Sequence, residues 1–441
     1  MHTALSELSG YIQSLPILDT HEHFCFPEPL ARERRDVLAY IRGTYLADDL
    51  RSAGFGEREW SIRETPEEKW ERLKPYLERT QNTTYYCAFQ MALRELFGLD
   101  EPIGTLDYAD ASAPIRAAAE LGETWYRRVL RRANIVCSLI DRGQPTAFEA
   151  KLLDWPALPT SPIAEPLYAP EKSGVDRFLP VLRIDLLAFC CLPEARQSLA
   201  ERFGVTARTF SEFDGFLDEL MHTLPARGFY AVKSAMGYYR DLRFLPTGRH
   251  AAAAAWAAGE TVSETELRVF QDYVVYRLAT LCGETGTVFQ IHTGLRCGGT
   301  PYTDRNGPHE LAPLINANPS ARFDLFHVGW PWVYQAAAMA KSLPNVYLNL
   351  NWFTAISRTQ AARQLTEILD TVPMHKITWG GDAFYVEEAW AHAAIARTIL
   401  TEALGGGLRR GLWPPEVCRR MARGILWENA AELYSLKLPE E

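Results

Sequence analysis

Short apolar runs rich in β-branched residues recur along the chain, each followed by a polar or helix-periodic stretch. Such runs read as strands buried on both faces of a parallel sheet. Eight are found: Ile17–Thr20, Ile135–Ile140, Phe178–Arg183, Phe229–Lys233, Thr287–His292, Phe323–His327, Val346–Leu350 and Lys376–Gly380. Helical patterns separate most of them. Thr265–Leu281 follows a Ser263/Glu266 capping box, the Ala-rich His250–Ala258 reads as helix, and Trp332–Ser342 is closed by Pro344. Further helices are expected around Trp390–Leu404 and Pro415–Leu433, and Gly405–Gly407 reads as a helix-breaking turn. Eight strands with helices between them predict an α/β fold, a (β/α)8 TIM barrel.

Two gaps exceed a simple crossover. Phe24–Asn134 contains amphipathic patterns at Glu67–Arg79 and Tyr86–Phe97, which predict a helical insertion after the first strand, over about residues 30–130. A loop there opens onto the catalytic face of a barrel, so the insertion is expected to roof the site. Gly143–Lys172 is Pro-rich and reads as an ordered surface loop. The length of 441 residues is thus one barrel domain with one large insertion, spanning 1–441.

Composition narrows the function. A formal net charge of -9 offers no footprint for nucleic acid. No run approaches the roughly 18 consecutive apolar residues of a membrane span, and the first 15 residues lack an export pattern. Eight cysteines without a C-x-x-C pair, Cys25 and Cys297 among them, suit reduced thiols in a cytoplasmic setting.

The chemistry gathers at predicted strand ends. Asp19-Thr20-His21-Glu22-His23 follows the first strand; His residues at i and i+2 on extended backbone point the same way and can share one metal. The fourth strand ends at Lys233, the fifth at His292, the sixth at His327, and the eighth at Gly380-Gly381-Asp382. With ten histidines in the chain, four at strand ends together with an Asp is the pattern of a site rather than of scattered core residues. Neutral imidazoles and a carboxylate suit Zn²⁺ or Mn²⁺. His21, His23 and Asp382 form the expected ligand core with His292 as the extra ligand; Asp382 is also the expected general base, and His327 either a ligand or the group that orients a carbonyl oxygen. Lys233 has two readings: carboxylated, bridging two ions, or an ammonium that pairs with a substrate anion.

In this order of residues the chain resembles the amidohydrolase superfamily of metal-dependent barrel enzymes. Its phrases Val232-Lys233-Ser234, Gln290-Ile291-His292-Thr293-Gly294, Phe326-His327 with Trp330-Pro331, and Gly380-Gly381-Asp382-Ala383 are similar to the amidohydrolase 2 branch and, within it, to the amidohydrolase-like part of nodulin and glutamine-synthetase fusion proteins. More distantly it is similar to uronate isomerases, which share the Gln-Ile-His phrase. The resemblance implies a hydrolase that activates water to cleave an amide-type C–N bond, with metal ligands at His21, His23, His292 and Asp382 and catalytic or metal-binding roles for His327 and Lys233. One ion is expected, or two if Lys233 is carboxylated. It also implies association into a homo-oligomer. An isomerase or decarboxylase acting on a small acid is the alternative, and a non-catalytic binding protein a third. Arg142, Arg183, Arg240, Arg296 and Arg305 on mouth-facing loops, Arg183 foremost, suggest a small anionic substrate, with Trp330, Trp352 and Tyr302 as aromatic walls.

Overall fold

The computed structural model describes residues 2–23, 36–141, 148, 151, 177–300 and 304–436. Eight parallel strands lie side by side in chain order: β1 (Ile17–Glu22), β2 (Ile135–Asp141), β3 (Arg177–Arg183), β4 (Ala231–Ser234), β5 (Val288–Ile291), β6 (Arg322–Leu325), β7 (Val346–Asn349) and β8 (Ile377–Thr378). Beyond β8, Thr20 N–H donates to the Trp379 carbonyl at 3.1 Å and Asp382 N–H to the His21 carbonyl at 2.8 Å, so the eighth strand's continuation runs against the first. The sheet is thereby nearly closed, and with helices around it the fold is a (β/α)8 barrel.

The Gly143–Lys172 stretch lies almost wholly outside the described residues. Among the described residues no helix is long and apolar enough to cross a membrane. Between β1 and β2 stand Val37–Arg42, Leu46–Ser52, Glu57–Trp60, Pro66–Thr80, Thr84–Phe97, Tyr108–Glu120 and Glu123–Ala133, all helical. Pro66–Thr80 begins at a reciprocal cap, Thr65 with Glu68, and buries Trp70, Leu73 and Leu77 along one stripe. The next helix starts on Thr83 and stops at Gly98, whose φ of +73° ends it in the left-handed region.

Glu264–Thr285, capped by Ser263 and Glu266 as the sequence predicts, and Arg249–Ala258 pack together outside the sheet. Gly405–Gly407 departs from expectation: the helix Val386–Arg409 runs straight through it. These glycines serve packing. A Cβ on Gly407 would fall 2.3 Å from the Trp413 ring, and one on Gly405 3.0 Å from Leu5.

A large apolar layer fills the space between sheet and helices. A second cluster, Leu18, Leu139, Val181 and Val288 with Leu433 and Tyr434, closes the barrel floor with the C-terminal helix Asn429–Leu433. Above it lies a polar layer. Tyr434 Oη donates to Asp324, Gln290 Nε2 donates to Tyr434 Oη at 2.8 Å, and Asn349 Nδ2 donates both to Asp324 Oδ2 at 2.7 Å and to Thr20 Oγ1 at 2.8 Å. Five elements are tied together below the catalytic end, where unpaired polar groups would be costly.

Candidate metal centre

Every predicted strand-end residue stands at the carboxyl end of the barrel, where chain direction changes and polar side chains can face inward. His21 is the fifth residue of β1 and His23 follows its end. His292 and His327 each lie just past their strand, and His327 and Val328 adopt φ of +61° and +49° in a tight turn. Asp382 has φ of +54°, a conformation that a non-glycine residue holds only when its surroundings enforce it.

The enforcement is visible. Asp19 Oδ1 accepts Gly381 N–H at 3.0 Å, Glu22 Oε2 accepts Ala383 N–H at 2.6 Å, and His392 Nδ1 donates to the Gly381 carbonyl at 2.7 Å. Asp19 and Glu22 are fully buried. Burial pushes Asp19 up to about 6 and Glu22 well above its usual range.

Around Asp382 the side chains converge. His23 Nε2 lies 3.3 Å from Asp382 Oδ1, His21 Nε2 lies 3.8 Å from it, and His327 Nδ1 lies 3.5 Å from Oδ2. Tyr45 donates its hydroxyl to Oδ1 at 3.2 Å and Asn351 its amide to Oδ2 at 3.4 Å. Burial works against ionisation of Asp382, whereas positive charge on the facing histidines would hold the carboxyl well below its usual range.

The four histidines form two pairs. His21 Nε2 and His23 Nε2 are 3.2 Å apart; His292 Nδ1 and His327 Nε2 are 3.0 Å apart. Carbonyl oxygens fix the tautomers, because a carbonyl only accepts. His23 Nδ1 faces the Asp141 carbonyl at 3.4 Å, His327 Nδ1 the Asn351 carbonyl at 3.0 Å, and His292 Nε2 the Leu295 carbonyl at 2.7 Å. Their other nitrogens, His23 Nε2, His327 Nε2 and His292 Nδ1, face inward. Burial keeps His21 and His292 well below, and His327 at about 4, so these rings are neutral.

In the buried, neutral His292–His327 pair both inward nitrogens present lone pairs, and lone pairs facing each other at 3.0 Å repel unless a cation lies between them. Nitrogens bound tetrahedrally to zinc at about 2.0–2.1 Å are separated by about 3.3 Å, which the His21–His23 spacing matches. The donor set therefore fits a divalent ion. His21, His23 and Asp141 also qualify by themselves, with one ligand atom from each within 4.8 Å of the others.

Lys233 is buried beside His21. Its Nζ lies 3.4 Å from His21 Nε2 and 3.8 Å from the centre of the Phe326 ring. Burial lowers its amine to about 8.

The predicted substrate arginines separate. Arg183 lies beside the cluster: its Nε reaches Asp141 Oδ2 at 3.1 Å, and Asp141 offers its carbonyl to His23. Burial opposes the Asp141 charge, but Arg183 more than offsets it and depresses the carboxyl. Arg240 donates to Asp272 at 2.9 Å, to Gln271 and to the Arg243 carbonyl, and covers Phe244. Its guanidinium braces the loop after β4. Arg296 donates to the Gly237 carbonyl at 3.3 Å. Trp330 donates its indole N–H to Gln360 at 3.2 Å, and Arg305 is exposed. Trp352 is buried, its ring 4.8 Å from that of Tyr45 and 5.1 Å from that of His327. Arg142, Tyr302 and Cys25 lie outside the described residues.

Sequence reasoning missed Asp141, Asn351 and Tyr45. Asp141 ends β2 and Asn351 follows β7, so the strand-end logic that found the histidines could have found both. Tyr45 sits in the insertion, 337 residues from Asp382, with no local signal.

Comparison with known proteins agrees with this geometry. A family model described as Amidohydrolase matches residues 195–436, just over half of the chain. Protein fluG of Emericella nidulans is 32% identical over 149 residues, which is 33% of this chain and 17% of that protein, so the chain spans under a fifth of that relative's length. Two solved structures share the whole fold. A uronate isomerase from Thermotoga maritima aligns with a TM-score of 0.77 at 17% identity, covering 98% of this chain and 97% of its own. A glucuronate isomerase from Caulobacter crescentus aligns with a TM-score of 0.77 at 15% identity, covering 100% and 95%. With the barrel, the strand-end donors and the family match together, the chain belongs to the amidohydrolase superfamily of metal-dependent hydrolases and isomerases.

Proposed function

We propose that the protein is a metal-dependent hydrolase that cleaves an amide-type C–N bond in a small, carboxylate-bearing molecule. The observation that carries this reading is the convergence of ring nitrogens of His21, His23 and His327 on the Asp382 carboxyl, 3.3–3.8 Å away. His21, His23 and Asp382 would hold the first divalent ion, Zn²⁺ by the nitrogen-rich donor set. When bound, such an ion supplies a Lewis acid that activates water or polarises a carbonyl.

The chain's own groups do the rest. Asp382, with one oxygen fixed by Tyr45 and the other by Asn351, is oriented to take a proton from the attacking water. The C–O bond forms as the C–N bond breaks, and Asp382 returns the proton to the leaving nitrogen. His292 and His327, with lone pairs opposed at 3.0 Å, supply a second nitrogen pair. Lys233, carboxylated, would complete a second ion's ligands; as a free ammonium it would face a substrate anion instead. Arg183, beside Asp141 at the mouth, is the first candidate for the substrate carboxylate. The free thiols of the described cysteines suit a cytoplasmic setting.

One observation favours an isomerase as the second reading: the uronate isomerases align over nearly the full length of both chains, and Arg296 follows His292 by four residues. A panel of N-acylated amino acids, other amides and uronates, assayed for amine or ammonia release and for ketose formation, separates the two. Ketose from a uronate with no amide turnover overturns the hydrolase reading.

A further inference from the structure

Glu388 lies on the helix Val386–Arg409, buried and outside the donor cluster. Its Oε1 accepts the backbone N–H of Tyr45 at 3.0 Å and its Oε2 that of Phe384 at 3.2 Å. One amide belongs to the helical insertion and the other to the loop that carries Asp382. Both owners touch the cluster with their side chains. Tyr45 donates to Asp382 Oδ1 at 3.2 Å, and the Phe384 ring stacks on His23 with centroids 5.3 Å apart and planes 16° from parallel.

One turn along the same helix, His392 holds the Gly381 carbonyl on the other side of Asp382. A buried carboxyl is costly, and burial raises Glu388 to about 8. An apolar residue in its place would take the acceptor from the buried Tyr45 amide and from the part-buried Phe384 amide. Glu388 thus ties together, through their backbones, two parts of the chain whose side chains already meet at Asp382.

We propose that Glu388 is a positioning residue that couples the helical insertion to the metal centre, by setting Tyr45 against Asp382 and Phe384 against His23. The inference rests on the reading of that cluster as a divalent-metal site. Partners that orient metal ligands typically contribute about 10–100-fold to metal affinity.

The test is a Zn²⁺ titration of the full chain against a competing chelator for wild type, Glu388→Gln, Tyr45→Phe and the double variant. Melting temperatures and amide hydrogen exchange accompany it. Glutamine keeps the shape but replaces one acceptor oxygen by a donor nitrogen. Glu388→Gln is expected to weaken Zn²⁺ binding about tenfold or more. It should also change the visible band of the Co²⁺-loaded protein, which a loss of stability alone would not. The double variant should lose less than the product of the two single losses.

In wild type, exchange at the Tyr45 and Phe384 amides should be slow, slower still with Zn²⁺, and fast at one of the two or both in Glu388→Gln. Unchanged affinity and an unchanged Co²⁺ band in Glu388→Gln, or losses that multiply without coupling, overturn the proposal. If the variant does not fold, fast exchange at either amide in wild type overturns it and slow exchange at both supports it. Failure of the metal reading is distinct: wild type itself would bind no Zn²⁺, while the exchange comparison would still report on the clamp.

Discussion

Gly381 precedes Asp382, and replacing it with Ala puts a methyl group where no space exists. The added Cβ would lie 2.0 Å from Glu22 Oε1 and 3.1 Å from its carboxyl carbon. Glu22 is fully buried, and its other oxygen accepts Ala383 N–H at 2.6 Å, so it cannot retreat without breaking that bond. Overpacking of this kind costs about 1–3 kcal/mol. An orphaned buried amide costs about 1–3 kcal/mol more. Gly381→Ala should therefore lose about 2–6 kcal/mol, read from the urea unfolding midpoint of the metal-free protein by tryptophan fluorescence. Gly10→Ala is the control, because Gly10 is exposed within the helix His2–Ser14 and its Cβ would meet nothing within 4 Å. It should gain up to about 1 kcal/mol from helix propensity. Because Asp382 is the next residue, Gly381→Ala should also weaken Zn²⁺ binding at least about tenfold. Stability within about 0.5 kcal/mol of wild type would refute the reasoning that Glu22 grips this loop.

Other changes have defined signs. Tyr434→Phe removes the hydroxyl shared by Gln290 and Asp324 in the barrel floor, and should cost about 1–3 kcal/mol in the same unfolding assay without changing Zn²⁺ affinity. Burial raises Asp324 from 3.8 to about 6, so the folded state holds this proton more tightly than the unfolded one. Its contribution to stability therefore falls as pH rises from about 4 to 6, and Asp324→Asn, which keeps an acceptor for Tyr434, should gain on wild type across that window in melting temperature. Arg183→Met leaves the buried Asp141 carboxylate without its counter-charge and should cost about 3–5 kcal/mol, most of it recovered when Asp141→Asn is added.

The barrel was legible because a parallel strand buried on both faces writes itself as a β-branched run, and because catalytic residues in such a barrel sit where those runs stop. That rule points to His21, His23, Lys233, His292, His327 and Asp382, which the structure brings together at that end of the barrel. The insertion was legible through its amphipathic periods and the Thr65/Glu68 cap. The rule fails for groups whose role depends on tertiary contact. Arg240 looks like a mouth-facing cation in sequence, yet Asp272, 32 residues away, pairs with it inside the loop packing. Tyr45 and Glu388 carry no local mark at all, because their meaning lies in a contact across 343 residues. Gly405–Gly407 shows the converse error: glycine was read as backbone freedom, whereas the helix needs small residues there for Leu5 and Trp413 to approach.

The central claim, that neutral histidine nitrogens and Asp382 hold a divalent metal, is tested most directly by counting metal on the purified protein and on a His21→Ala/His23→Ala variant. The account predicts one or two tightly held divalent ions per chain in the first and loss of at least one in the second, with both proteins folded. A folded wild-type protein that takes up no divalent ion when offered Zn²⁺ or Mn²⁺, or a variant that retains the full complement, would contradict it.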